Sequence, residues 1–172
     1  RSSDLDNLRV AATGSGMGVK VDFGSASVFG YSYWLTDDGK GLLSLILEGG
    51  STQPRIDRVV VRSDSSLPKR EAYVAVLKGT PSATPQAPEL TRSGDVYEIS
   101  LAQIAVPANA TSITASSITD ERSDESVCGK IVPEEILELL DQSLKTTDSP
   151  TFKNLTVQEK ITANIVVSAV YQ

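Results

Sequence analysis

From about Leu8 to Gly129 the apolar and polar positions read as strands separated by turns. Val19, Val21 and Phe23 are separated by Lys20 and Asp22, the period-2 pattern of a half-buried strand. Ala26–Phe29 and Tyr31–Trp34 flank Gly30 and read as two short strands or as one strand with a bulge. Asp37-Asp-Gly-Lys-Gly41 is a turn signal, and Leu42–Leu47 after it is apolar on both faces, as expected of a central strand. Ile56–Arg62 and Glu71–Leu77 form a further predicted pair, joined by the polar stretch Ser63–Ser66. Thr80–Pro88 carries three prolines, which donate no ladder hydrogen bond, so it reads as an extended surface crossing. Strand character returns at Asp95–Leu101 and continues over Gln103–Val106, and Ile113 and Ile118 anchor the small-residue segment after it. The expected fold is therefore mainly β: a compact sandwich or barrel-like domain over residues 8–131.

The pattern changes after residue 131. Over 132–147 Pro133 suits a first helical position, and Glu134 and Glu135 suit the positive end of a helix dipole. Ile136, Leu137, Leu139, Leu140 and Leu144 then form an apolar stripe. A helix of about a dozen residues is marginal alone in water, so the stripe must pack on the β body or on copies of itself. Leu137, Leu140 and Leu144 have the spacing of a bundle seam, but one heptad does not decide between these. Over 148–172 the segments Thr151–Val157 and Lys160–Val167 are β-prone, with Phe152, Leu155, Val157, Ile161 and Ile165 as their apolar anchors. They hold too little apolar surface for a core of their own and require neighbours, as in an intertwined fibre.

Composition narrows the chemistry. The net charge of −6 and the pI near 4.7 give no basic face for nucleic acid and none for an anionic membrane. No apolar run approaches the roughly 20 residues needed to span a bilayer. His is absent, which excludes the usual catalytic triads and most zinc sites, and the single Cys128 allows no internal disulfide and reads as a small buried apolar residue. No cofactor is expected. Arg1 at the start, without Met or a signal pattern, reads as the beginning of a trimmed piece of a longer chain.

Candidate sites are weighed on the same grounds. Gly14-Ser-Gly-Met-Gly-Val-Lys20 lacks phosphate-loop spacing and precedes a strand, so a tight turn is favoured. Asp37–Gly41 lacks the ligand spacing of a calcium loop. Asp120, Glu121, Asp124 and Glu125 are dense enough to hold a calcium ion, but Arg122 among them opposes a cation and favours an ion-pair network or a solvated turn. The acids lie mostly on turns and aromatics are few, which argues against glycoside hydrolysis. Tyr31, Tyr33 and Trp34 are the candidates for a glycan-binding platform, with alternation placing Trp34 opposite the two tyrosines; core packing is the commoner fate. On the Arg55–Arg62 strand, Asp57 shares a face with Arg55 and opposes Arg58 and Arg62, so it should pair with Arg55 or with an arginine from a neighbouring strand such as Arg122. Arg55, Asp57, Arg58, Arg62, Asp120 and Arg122 are thus candidates for structural ion pairs. Asn109-Ala-Thr and Asn154-Leu-Thr match the glycosylation pattern, a short match that arises by chance.

The order of landmarks resembles an N-terminal, virion-anchoring module of bacteriophage and prophage structural proteins. The pieces are Leu8–Met17, Val28–Tyr33, Pro54–Arg62, Val76–Pro85, Ala87–Arg92, Val96–Leu101 and Ile118–Gly129, and Ser149–Val157 is similar to the strand repeats at the start of a fibre shaft. No single piece is specific; the ordered set is. Family members usually carry a further N-terminal segment, which this sequence lacks. The resemblance implies a non-enzymatic tail-fibre, baseplate or receptor-binding component located in the virion. Its partners would be copies of itself, as a homotrimer, and other tail or baseplate proteins, with host glycan contacted through a distal part. The alternative is a carbohydrate-binding module or adhesin acting through Tyr31, Tyr33 and Trp34.

Overall fold

A computed structural model describes residues 7–37 and 42–129. The chain divides into two units, Arg1–Lys130 and Ile131–Gln172. The predicted helix over 132–147, the β-prone stretch over 148–172 and most of the Asp37–Gly41 turn lie outside the described residues.

The first unit is mainly β. Its strands are β1 (Val10–Ala12), β2 (Gly18–Val21), β3 (Gly24–Val28), β4 (Tyr31–Leu35), β5 (Leu43–Ile46), β6 (Arg55–Asp64), β7 (Glu71–Leu77), β8 (Arg92–Ser93), β9 (Val96–Val106) and β10 (Ile118–Asp120). They form three antiparallel sheets, ordered β1-β2-β5, β3-β4 and β10-β9-β6-β7, with β8 also pairing with β9. Apolar positions from all three meet in one core: Val10, Val19, Val21, Val28, Val59, Val61, Ala102, Ile104 and Val106, joined by Leu8, Leu47 and Ile113.

Local chemistry sets the hairpins. Between β1 and β2 the Thr13 amide donates to the Gly18 carbonyl at 3.1 Å, and Gly14 and Gly16 take φ of 88° and 62°, a left-handed conformation that glycine adopts without strain. The glycines therefore close a turn. β3 and β4 are two strands joined by Phe29 and Gly30 alone, at φ 48° and 83°, and two successive left-handed residues match the twist of a tight hairpin.

One strand differs from expectation. Leu42–Leu47 reads as central, but among the described residues β5 is the edge of its sheet and β2, with Val19 and Val21 fully buried, is the central strand. The side chains of β5 alternate between half-buried and exposed, and Ile46 is 86% exposed. A run apolar on both faces carries no period, so it cannot distinguish an edge from a centre.

β6 and β9 are the spine. They pair from Arg55↔Val106 to Asp64↔Val96, with a bulge where Val59 faces Ala102 and Val60 faces Ser100, leaving Leu101 as the extra residue. Antiparallel partners share a face, so Val59, Val61, Ala102 and Ile104 line the core while Arg58, Val60 and Arg62 sit beside Gln103, Ser100 and Glu98 on the opposite face. The outer edge of β9 is paired with β8 and β10 at its ends. In the gap between them, the Glu98 amide donates to the Thr91 carbonyl, the Ser100 amide to the Val127 carbonyl, and the Leu101 carbonyl accepts from the Glu121 amide, at 2.9–3.0 Å. The segments flanking the strands thus satisfy backbone groups that burial would otherwise leave unpaired.

Candidate functional site

Four of the charged side chains singled out in the sequence, Arg55, Asp57, Arg58 and Arg62, hold the fold together at two places, one on each face of the β6–β9 ribbon. At the polar end of the core face, Arg55 and Asp57 are 2% and 1% exposed. Two residues apart on β6, they lie on one side of the strand, and Arg55 Nε donates to both Asp57 carboxylate oxygens at 2.9 and 3.2 Å. The remaining guanidinium nitrogens reach the Gly49 and Glu48 carbonyls at 2.9 and 2.7 Å, and Asp57 also accepts the Gly79 amide at 2.8 Å. One pair therefore fixes the loop before β6 and the exit from β7. Asp57 takes Arg55, and Arg122 pairs elsewhere.

Gly79 is required by this packing. A Cβ there would lie 2.0 Å from the Ile56 carbonyl oxygen, a backbone atom that cannot move aside. Gly79→Ala is expected to destabilise the domain by about 1–3 kcal/mol or more through forced overpacking, readable as a lowered melting temperature; an unchanged melting temperature would show that the β7 exit is not held against Ile56.

On the opposite face Glu121 and Glu98 are the hubs. Glu121 accepts from Ser100 Oγ and Gln103 Nε2, both at 2.5 Å, and lies 3.3 Å from Arg58 Nε. That last contact is an ion pair without hydrogen-bond alignment, for the Arg58 Nε–H is buried with no aligned acceptor. Arg58 instead donates through its terminal nitrogen to the Pro88 carbonyl at 2.8 Å, which fastens the proline-rich crossing to the sheet. Glu98, fully buried, accepts from Arg62 Nε at 2.7 Å and from the Thr91 amide at 2.6 Å. Burial disfavours the Arg62 charge, but bonding to Tyr73 and Glu98 outweighs it and raises the group above its ordinary value. Arg92 extends the network to the Ser126 and Val127 carbonyls at 2.9 and 2.7 Å.

The acidic closing segment is divided between roles. Glu121 turns inward, whereas Asp120 pairs with Arg122 at 2.6 Å and Arg122 reaches on to the Asn7 carbonyl at 2.7 Å. Asp124 caps the Ser126 amide and hydroxyl. Among the described residues no group of three or more acidic, His or Cys side chains is placed to hold a metal ion. Cys128 is half-buried, and burial pushes its thiol up from the ordinary 9.0, keeping it protonated.

These bonds give a pH dependence. Asp120 is held below its ordinary 3.8 by the Arg122 hydrogen bond, Asp64 by the Ser66 hydroxyl and Asp124 by Ser126. A carboxylate depressed on folding contributes stability in full above its unfolded value, and that contribution disappears as pH falls through the folded one. The melting temperature should therefore fall on acidification below the ordinary aspartate value, and Asp120→Asn should flatten that limb. An acid limb unchanged by the substitution would contradict the pairing.

The aromatic trio is not brought together. On β4, Tyr31 and Tyr33 are half-buried and Tyr33 packs against the core, while Trp34 points outward and is 70% exposed. The three candidate glycan contacts thus lie on two faces of one strand. The stacked ring pair lies elsewhere: Phe29, in the β3–β4 turn, lies over Tyr97 with centroids 5.2 Å apart and planes 4° from parallel. A shallow groove of about 330 Å³ runs along the proline-rich crossing beside Lys78, Thr80, Thr84, Gln86 and Pro88, and neither a carboxylate nor an aromatic ring lines it.

Glu98 and Glu121 were not singled out as hubs by the sequence. Their partners lie 36 and 21 residues away, at Arg62 and Ser100, and are met only through the β6–β9 register for Glu98 and the β9–β10 register for Glu121. The available signal was Glu98 between Tyr97 and Ile99, a lone acid within an apolar strand. Comparison with family models, with curated proteins and with solved structures finds no match to this chain.

Proposed function

We propose that the chain is a bacteriophage virion structural protein, a tail-fibre or baseplate component that anchors a fibre or receptor-binding part through oligomerisation. In this reading residues 8–131 form a compact β-sandwich-like anchoring domain, 132–147 a helical coupler and 148–172 the start of a β-structured fibre. Identical chains, three in number, bury Ile136, Leu137, Leu140 and Leu144 and the strand residues Phe152, Leu155, Val157, Ile161 and Ile165 against one another. Its work is mechanical, without turnover or cofactor.

The observation that carries this reading is where the resembling landmarks lie. Pro54–Arg62 and Val96–Leu101 run along β6 and β9, while Val76–Pro85, Ala87–Arg92 and Ile118–Gly129 supply bonds from Gly79, Thr91, Arg92 and Glu121 that close around them. Ionic groups used up in internal bonds suit a rigid mounting piece. Among the described residues no helix is long and apolar enough to cross a membrane.

The test is the Leu140→Asp variant. The full chain should show a trimeric mass by light scattering, and the variant a monomeric mass with an unchanged β-type circular dichroism spectrum. The exposed Trp34 favours the carbohydrate-binding alternative. A monomeric wild-type protein whose glycan-array binding disappears in Trp34→Ala would replace the structural reading with that one.

A further inference from the structure

Among the described residues, the edges formed by β3, β7 and β10 are guarded. On β3 the Asn7 side chain donates to the Ser25 carbonyl and accepts the Ser25 amide, at 3.1 and 2.7 Å. β7 carries Glu71 at its start and is flanked by Lys69, Arg70 and Lys78, and β10 ends in the Asp120–Arg122 pair. Charges and side-chain caps of this kind deter strand addition. The run Leu42-Leu-Ser-Leu-Ile-Leu47 around β5 has neither charge nor proline, and among the described residues β5 pairs only with β2.

The outward groups of β5 follow from its register. The Leu47 amide donates to the Met17 carbonyl at 2.9 Å, so the odd-numbered residues of this strand bond toward β2 and the Ser44 and Ile46 amides face away from it. Ile46 lies opposite Gly18, which has no side chain to cover it. An unguarded apolar edge of this kind is a template for another strand.

We infer that the free edge of β5 is a strand-addition site occupied by residues Ile161–Val167 of a neighbouring copy of this chain. The inference rests on the trimeric reading above. Ile161-Thr-Ala-Asn-Ile-Val-Val167 matches the edge in chemistry: it is β-branched, uncharged and free of Pro and Gly. The other β-prone stretch, Thr151–Val157, carries Lys153 and fits an apolar edge less well. The chain between Gly129 and Ile161 can extend to about 100 Å, so reach does not limit pairing with a neighbour.

Hydrogen exchange on the full chain tests the inference, with the Val61 and Ile104 amides of the central ribbon as internal reference and the mass measured on the same samples. The Ser44 and Ile46 amides should exchange about a hundredfold or more slowly than unpaired amides. Ile165→Pro should return both to fast exchange without changing the reference. In Ser44→Pro, which removes an outward donor the domain itself does not use, the Ile46 amide should exchange fast while the trimeric mass persists. Fast exchange at both positions in a trimeric wild-type protein would overturn the inference and leave the trimeric reading standing. Slow exchange that survives Ile165→Pro would assign the edge to another occupant. Slow exchange in a monomeric protein would overturn both.

Discussion

Asp57→Ala is expected to lower the stability of the domain by about 3–5 kcal/mol, the usual result of stranding one member of a buried ion pair. Arg55 would keep its bonds to the Gly49 and Glu48 carbonyls but would remain 2% exposed with its counter-charge removed, and the Gly79 amide would lose its acceptor. For a domain of this size that is a fall in melting temperature of about 10 °C or more. The loss measures stranding of the partner charge, which exceeds what the pair adds over an apolar equivalent. Replacing both residues, Arg55→Met with Asp57→Leu, should therefore recover a large part of it. A single-variant shift too small to resolve would show that water reaches the pair.

Glu121→Ala is expected to cost about 3 kcal/mol for the same reason, on the other face of the sheet. It strands Arg58, whose side chain is 9% exposed, and removes the acceptor of Ser100 Oγ and Gln103 Nε2. Glu121→Gln keeps an oxygen acceptor and should lose less, with the difference reporting the charge of Arg58. Asp57 and Glu121 share no hydrogen-bond partner, so the double variant Asp57→Ala with Glu121→Ala should show losses that add to within about 0.5 kcal/mol. Chemical denaturation read by two probes measures both. A Glu121→Ala protein as stable as the parent would mean that Arg58 is held by Pro88 alone.

Local pattern carried much of the fold. The alternation of Val19 and Val21, the Val59–Val61 run of β6 and the proline-rich crossing each contain the information for their own conformation, because strand period and proline chemistry act over a few residues. The pairing of Asp57 with Arg55 was one of two readings open to the sequence, since residues two apart on a strand share a face. What escaped depends on long-range register. The position of β5 at an edge follows from which strand β2 pairs with, and the hub roles of Glu98 and Glu121 follow from the bulge at Leu101, which sets which residues of β9 face Arg58 and Arg62. Neither is encoded in a window of neighbouring residues. Tyr31, Tyr33 and Trp34 illustrate the same limit: alternation separates Trp34 from the two tyrosines, but which side meets the core depends on how the β3–β4 hairpin lies on the other sheets.

The central claim is that residues beyond Gly129 draw identical chains together. Light scattering at micromolar concentration on Arg1–Gln172, beside a truncation ending at Gly129, tests it most directly. The full chain should show three times the chain mass of 18.3 kDa, and the truncation should be a folded monomer. A full-length protein that is monomeric at that concentration, with its carboxyl-terminal segment protected from exchange, would contradict it.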